Sequence, residues 1–517
     1  MTTLRIIFTN DLHGNFHRDL LGTIRKLKEQ KPSLLLDCGD FLDGTILSHY
    51  KDGTFILDIM SQQAYSALIL GNHEFTCGLE GLSSLLREVS SRNLPLLCTN
   101  LSLKEEVRED PFWRNVYRSL KKHVFSYLLY DVNGVRIGLL GLMGEKVFIP
   151  EAWPADFVID FANLAHYVDL LKAQGAKLII ILFHGSLEEA KNLCKKVEGV
   201  DIVLCGHSHL VTVERCQEKL LMEAGSEGKQ IGVIEVECSK DSEKGYSLKA
   251  DVIDIPYRNI NFCFSAEKEL LRHFTNLKKR NLSEELLYLP GSSFLERAYL
   301  VADAIRYVTE VNVGITTPGE RGYFPSERIV VADVFKIGRT GIPHDGIKGD
   351  VLCKYYLTLL ELKFIFEATV CMYRELGLDV LLVPSGVKII IDSNRPPLER
   401  IIQLSVNGKV VYQQGQWKDD ERQLLSISTS LLLVYGLREV SSNLLKMGVI
   451  EQEIFPRDEK GRAVEWRNLE DLKPLICQDE TEKYLTLWKA VLKYLLEKKP
   501  LKVSEKERLK DIGKNQL

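Results

Sequence analysis

The run Leu4-Arg5-Ile6-Ile7-Phe8-Thr9-Asn10-Asp11-Leu12-His13 decides the fold. Leu4 to Thr9 reads as a buried β-strand, and an aspartate and a histidine follow its end. The same device recurs four times. Ser33 to Asp37 leads to Gly39-Asp40, and Ala67 to Leu70 leads to Gly71-Asn72-His73-Glu74. Lys177 to Phe183 leads to His184-Gly185, and Asp201 to Cys205 leads to Gly206-His207-Ser208-His209. Helical periodicity falls between the strands, over Arg18 to Gln30, Phe55 to Gln63, Leu79 to Ser90, Leu164 to Gln174 and Leu187 to Val197. This alternation predicts an α/β fold with a largely parallel sheet covered by helices. Phe125 to Tyr130 and Val135 to Leu142 read as a hairpin, because Asn133-Gly134 is a strong type I′ turn signal. Gln230 to Glu237 and Tyr246 to Ile255 read as antiparallel strands, so the sheets are mixed.

In α/β proteins ligands collect at the carboxyl ends of strands. Five of the eleven histidines fall in the five segments. Asp11 and His13 are two residues apart, a spacing that aims both side chains to one face of an extended chain, and His207 and His209 repeat it. Carboxylate and amide oxygens mixed with imidazoles suit a pair of divalent cations, with manganese, iron, cobalt or zinc all acceptable. A carboxylate such as Asp40 can bridge two cations, and a bridged pair brings the pKa of a shared water towards neutrality for attack on phosphorus. His73 is a candidate general acid for the leaving oxygen. Cys38 and Cys205 lie two residues before Asp40 and His207, and Cys77 follows Thr76. Small core hydrophobes are the better account of them than redox or metal-binding thiols.

The chain has 517 residues, too many for one ordinary core, so two domains are expected. A formal net charge of −4 argues against a general nucleic-acid coat or an anionic-membrane binder. No apolar run has the length of a membrane span, and Ile6-Ile7-Phe8 is too short for a signal-peptide core. Eleven scattered cysteines without a Cys-x-x-Cys pair fit a reduced, cytoplasmic setting.

Taken together, Asp11-x-His13, Gly39-Asp40, Gly71-Asn72-His73-Glu74, His184 and Gly206-His207-x-His209 resemble the calcineurin-type metallophosphoesterases. Their order and the long second domain resemble more narrowly the bacterial 5′-nucleotidases, UDP-sugar hydrolases and 2′,3′-cyclic phosphodiesterases. The resemblance implies one metal held by Asp11, His13, Asp40 and His209, and a second held by Asp40, Asn72, His184 and His207. The family usually has an aspartate where this chain has Thr76, and that aspartate pairs with the catalytic histidine. Threonine supplies no charge to stabilise an imidazolium. Asp43 resembles the aspartate that orients the equivalent histidine in related phosphoprotein phosphatases, so it is the candidate partner of His73. The alternative is an ordinary turn residue before Gly44.

The pattern changes near Asn261, and the charged helical stretch Ser265 to Lys279 reads as a linker, so the expected organisation is a catalytic domain over residues 1–258, a linker helix over 259–288, an α+β nucleotidase-like substrate domain over 289–488 and a charged tail over 489–517. Phe294 to Arg306, Ser385 to Lys388 and Arg395-Pro396-Pro397 resemble parts of that second domain. Gly314 to Arg321 falls where the family carries a substrate-binding loop, which makes Arg321 a candidate phosphate ligand. The family's base-stacking aromatics are missing. Lys336 to Gly341 replaces one, and the segment after Ser426 to Ser430 lacks the other; Tyr435 or Tyr323 could substitute, or be a core or surface ring. The expected function is a two-metal hydrolase of small phosphate esters, foremost nucleotides, acting in nucleotide catabolism. A sugar-phosphate or cyclic phosphodiester hydrolase is the second expectation. A metal-stabilised binding protein without turnover is the third.

Overall fold

The computed structural model describes residues 3–49, 54–75, 78–105, 114, 118, 122–147, 157–238, 245–256, 281–318, 322–324, 326–338, 349–376, 381–466, 469–480, 483–498 and 508–513. The chain forms two compact units, Met1–Lys279 and Arg280–Leu517. The division falls within the stretch expected as a linker helix, but residues 257–280 lie outside the described residues.

The first unit carries strands β1 (Thr3–Thr9), β2 (Ser33–Asp37), β3 (Ala67–Ile69), β4 (Leu96–Leu97), β5 (Leu101–Leu103), β6 (Val124–Phe125), β7 (Leu128–Val132) and β8 (Val135–Met143). It continues with β9 (Phe157–Ile159), β10 (Leu178–Gly185), β11 (Ile202–His207), β12 (Val211–Cys216), β13 (Lys219–Ala224), β14 (Gln230–Cys238) and β15 (Tyr246–Asp254). One sheet has the order β15-β14-β1-β2-β3-β4-β6 and the other β12-β13-β11-β10-β8-β7. Both are parallel in the middle and antiparallel at one or both edges. Asn133 and Gly134 take φ of 49° and 79°, as a type I′ turn requires.

The unbroken apolar run of β10 shows why a mixed sandwich forms. Leu178, Ile180 and Leu182 point between the sheets with Ile6, Phe8, Leu139 and Ile234. Ile179, Ile181 and Phe183 point outward under helices Leu164–Ala173 and Leu187–Lys196, with Val168, Leu171, Ala190 and Leu193. A strand buried on both faces reads as continuous rather than alternating.

The second unit holds a four-stranded sheet of Leu352–Thr358, Leu424–Ser430, Val313–Thr316 and Val383–Ser385, in that order. A five-stranded sheet runs Gln416–Trp417, Lys409–Gln413, Ile401–Val406, Val387–Ile391, Leu509–Asp511. Helix Phe294–Thr309 begins on a capping box in which Ser293 and Glu296 satisfy each other's backbone N–H groups. The charged tail expected over 489–517 takes a different form. Helix Leu487–Lys498 buries Trp488, Val491, Leu492 and Leu495, and Leu509–Asp511 pairs with Ile389–Ile391 as a parallel strand. Lysines on the exposed side of an amphipathic helix concealed the buried stripe. No helix among the described residues is long and apolar enough to cross a membrane.

Candidate metal centre

The two loops that follow β1 and β2 are zipped together by backbone bonds. Asp11 N donates to Gly39 O (3.0 Å), His13 N to Asp40 O (2.8 Å) and Gly14 N to Phe41 O (2.9 Å). The loops turn through left-handed conformations at Asp11 (φ 49°), His13 (φ 45°), Asp40 (φ 56°) and Asp43 (φ 57°). His207 (φ 94°) and His209 (φ 58°) do likewise. The two Asp/His-x-His pairs are therefore not on extended chain, as their spacing suggested. Their side chains converge because each ligand sits on a tight turn at a strand's end. Such backbone is costly for non-glycine residues and persists where the surroundings fix it. Gly39 and Gly71 allow the loops to close: a Cβ on Gly39 would stand 2.7 Å from Gly71 N and 2.9 Å from His184 Nδ1.

The side chains meet around Asp40. Its Oδ1 accepts from His73 N at 2.9 Å, which leaves Oδ2 facing His184 Nε2 (3.4 Å), His73 Nε2 (3.9 Å) and His13 Nε2 (4.0 Å). On one side, His209 Nε2 lies 3.5 Å from Asp11 Oδ1 and 3.1 Å from His13 Nε2. On the other, Asn72 Oδ1 lies 3.1 Å from His184 Nε2 and 3.0 Å from His207 Nδ1. His184 Nδ1 donates to Cys38 O at 2.8 Å, so its Nε2 is the nitrogen left for a ligand role. Donors about 2.1 Å from one cation stand about 3.0 to 3.4 Å apart. The closest pairs in both groups have that spacing. The Asp11, His13, His209 group and the Asp40, His184, His207 group, with Asp40 facing both, fit a dinuclear metal site.

Burial alone would push the Asp40 carboxyl up, but His184, His73 and His13 outweigh it and hold it well below the usual carboxylate range. Burial opposes charge on His184, yet Asp40 overrides it and raises the imidazole to about 10. Burial, reinforced by His184, lowers His207 to about 4. Without cations the cluster keeps its negative charge by storing a proton on His184, and metal binding must displace it.

Glu74, Asn10 and Glu223, to which the sequence alone assigns no role, support the site. The Glu74 carboxylate accepts from Gly71 N (2.7 Å), Leu42 N (2.9 Å) and Asp40 N (3.0 Å), clasping two ligand loops. Asn10 Nδ2 donates to Asp11 Oδ2 (2.7 Å) and Gly225 O (2.6 Å), and its Oδ1 accepts from Ala224 N. Buried Glu223 accepts from Leu210 N beside His209, and burial raises its carboxyl to about 8. A glutamate inside the apolar run Leu220 to Ala224 was the available signal. Cys38 serves the site through its carbonyl, whereas its thiol and that of Cys205 are pushed well up by burial.

His73 Nδ1 stands 3.9 Å from Asp43 Oδ2, and the His73 ring meets the His13 ring edge to face at 4.6 Å. The structure thus brings Asp11, His13, Asp40, Asn72, His184, His207 and His209 together, with His73 and Asp43 beside them. Thr76, Cys77 and Arg321 lie outside the described residues.

The calcineurin-like phosphoesterase family profile matches residues 4–211, which contain the seven candidate metal ligands, His73 and Asp43. The chain is 23% identical over 464 residues to a snake venom 5′-nucleotidase from Crotalus adamanteus, covering 78% of this chain and 76% of that protein. It is 33% identical over 228 residues to a 5′-nucleotidase from Diplobatis ommata, covering 40% and 37%. The crystal structure of a 5′-nucleotidase precursor from Thermus thermophilus superposes with a TM-score of 0.68 at 19% identity, over 99% of this chain and 100% of that one.

Proposed function

Starting from a chain that carries a calcineurin-like metallophosphoesterase domain and has 5′-nucleotidase homologues, we propose that it hydrolyses small phosphate monoesters, with nucleotides the leading class. The observation that carries this reading is the placement of Asp40 Oδ2 between two His/Asp groups. When bound, a cation pair there acidifies water and offsets the charge of the phosphoryl oxygens. The chain's own residues do the rest. Asp11, His13 and His209 would hold one cation, Asn72, His184 and His207 the other, and Asp40 both. His73 delivers a proton from Nε2 to the leaving oxygen, and Asp43 orients its ring from the Nδ1 side. We assign Arg321 to the substrate phosphate, where a guanidinium can bind two oxygens at once. The scattered cysteines support a cytoplasmic setting, and the net charge supports a small-molecule rather than nucleic-acid or membrane partner.

A sugar phosphate or cyclic phosphodiester is the second reading, and specific side chains favour it. Tyr435 is half-buried against the second unit's core, Tyr323 packs on Phe294 at 4.4 Å, Ile337 is fully buried and Lys336 pairs with Asp333. Those residues are engaged in packing rather than offering a ring to a base. The test is manganese-dependent release of p-nitrophenol from mono- and bis-p-nitrophenyl phosphate, followed by a panel of nucleoside monophosphates and sugar phosphates. Preference for nucleoside monophosphates is expected. Preference for sugar phosphates or the diester selects the second reading. No turnover with manganese, iron, cobalt or zinc rejects both and leaves a binding protein.

A further inference from the structure

Two thiols of the first unit meet away from the metal centre. Cys194 is fully buried on helix Leu187–Lys196, beside Ala190 and Leu193. Cys216 ends β12 and packs, half-buried, on that same core. Cys216 Sγ donates to Lys191 O at 3.7 Å, one helical turn before Cys194. The Cys194 and Cys216 side chains pack in the same apolar cluster under that helix, each thiol within electrostatic reach of the other. We infer that Cys194 and Cys216 form a modification site, a thiol pair that a peroxide converts to a reversible disulfide.

The two cysteines divide the work by exposure. Cys216 is the member solvent reaches, so its thiolate attacks one peroxide oxygen; the O–O bond breaks, water leaves and a sulfenic acid remains. Cys194 then attacks that sulfur, the S–O bond breaks, a second water leaves and the S–S bond forms. The two thiols lose two protons and two electrons, and the peroxide becomes two waters. Burial, then Cys216, pushes the Cys194 thiol up to about 12, so it stays inert until its neighbour is oxidised; the Lys219 ammonium acts in the opposite direction and favours its thiolate. The bond would tie together two elements that issue from ligand loops. The helix begins just after His184-Gly185-Ser186, with Leu187 N donating to Ser208 Oγ at 3.0 Å, and β12 begins just after His209.

The metal-loaded full-length protein is treated with hydrogen peroxide, alkylated and mapped by mass spectrometry without reduction. A Cys194–Cys216 cross-linked peptide, lighter by two hydrogens and reversed by dithiothreitol, is expected. It disappears in Cys216→Ser. In Cys194→Ser, Cys216 stops at the sulfenic acid, which dimedone traps. If Cys194→Ser does not fold, the wild-type and Cys216→Ser maps decide alone. Full alkylation of both residues after peroxide treatment overturns the inference, as does a cross-link that pairs either with a different cysteine.

Discussion

Glu74 is no ligand, yet its carboxylate fixes the loops that carry Asp40 and Asn72 through three backbone N–H groups. Glu74→Gln removes acceptor capacity on one side, so one of these bonds is lost. Metal affinity should fall about 10- to 100-fold, as for other groups that position ligands, measured by competition with a chromophoric chelator. An unaltered affinity would reject the clasp. Asp43 makes a separate claim, because a carboxylate beside an imidazole favours its protonated form. In Asp43→Asn the alkaline limb of the pH–rate profile should move to lower pH; an unmoved limb removes Asp43 from the mechanism. His184 sets the pH dependence of metal uptake. Its value of about 10 in the metal-free fold lies above the unfolded value of about 6.5. The folded state therefore holds this proton more firmly, a stabilisation fully present below about pH 6.5 and lost as pH rises through about 10. Cations take the same nitrogen, so apparent affinity should rise with pH, by up to about tenfold per unit for this proton. Calorimetry in buffers of different ionisation heat should register proton release on manganese binding, and zero release would contradict it. The His/Asp groups that meet around Asp40 were legible because their chemistry lies in residue type and order. Their left-handed backbone and the clasp of Glu74 were not, because both arise from loops far apart in sequence closing on one another.

At the scale of elements, long amphipathic or doubly buried segments read well. The sequence ranges Arg18 to Gln30 and Ser33 to Asp37 coincide with the observed elements. The antiparallel pair β12–β13 did not read, because the exposed face of β12 carries Val211 and Val213, so its polar alternation is blurred. The last strand, Leu509–Asp511, was hidden by its length of three residues within a lysine-rich stretch. It is held by Arg508, whose guanidinium is buried, donates to Asp303 Oδ2 (2.8 Å) and Pro384 O (3.2 Å), and stacks over the Tyr299 ring at 4.8 Å. Ser385 Oγ donates to the other Asp303 oxygen at 2.6 Å. Arg508→Ala leaves that carboxylate buried without its cation, so a loss of about 3 to 5 kcal/mol is expected. Urea unfolding followed by tryptophan fluorescence measures it, since Trp417, Trp466 and Trp488 belong to the same unit. A loss below about 1 kcal/mol, the range of ordinary surface changes, would mean the strand is not part of that unit's cooperative fold.

The whole molecule divides its labour between two units with separate cores. Among the described residues, the inter-sheet cluster and the cluster under the helices draw on residues of the first unit, and the large cluster of the second unit on residues from Leu295 to Leu509. All of the candidate ligands lie in the first unit, between Asp11 and His209. Metal binding is therefore expected to stabilise one unit directly. At a free manganese concentration about 100 times the dissociation constant, the gain is about 2.7 kcal/mol per site. Scanning calorimetry of metal-stripped protein should resolve two transitions, of which manganese raises one. Arg508→Ala should lower the other and leave the manganese-sensitive one in place. This assignment uses each perturbation as a label for the unit that carries it, so it does not depend on which unit melts first. One transition that manganese raises and Arg508→Ala lowers would instead mean that the two cores unfold as a single cooperative block. On the proposed reading the metal groups carry the phosphoester chemistry, and their candidate ligands all lie in the first unit. Tyr323 and Tyr435 are engaged in packing within the second unit, so Tyr323→Ala and Tyr435→Ala should lower that unit's transition while KM across the substrate panel and manganese affinity stay constant. A changed KM with an unmoved transition would show instead that one of these rings meets substrate rather than the core.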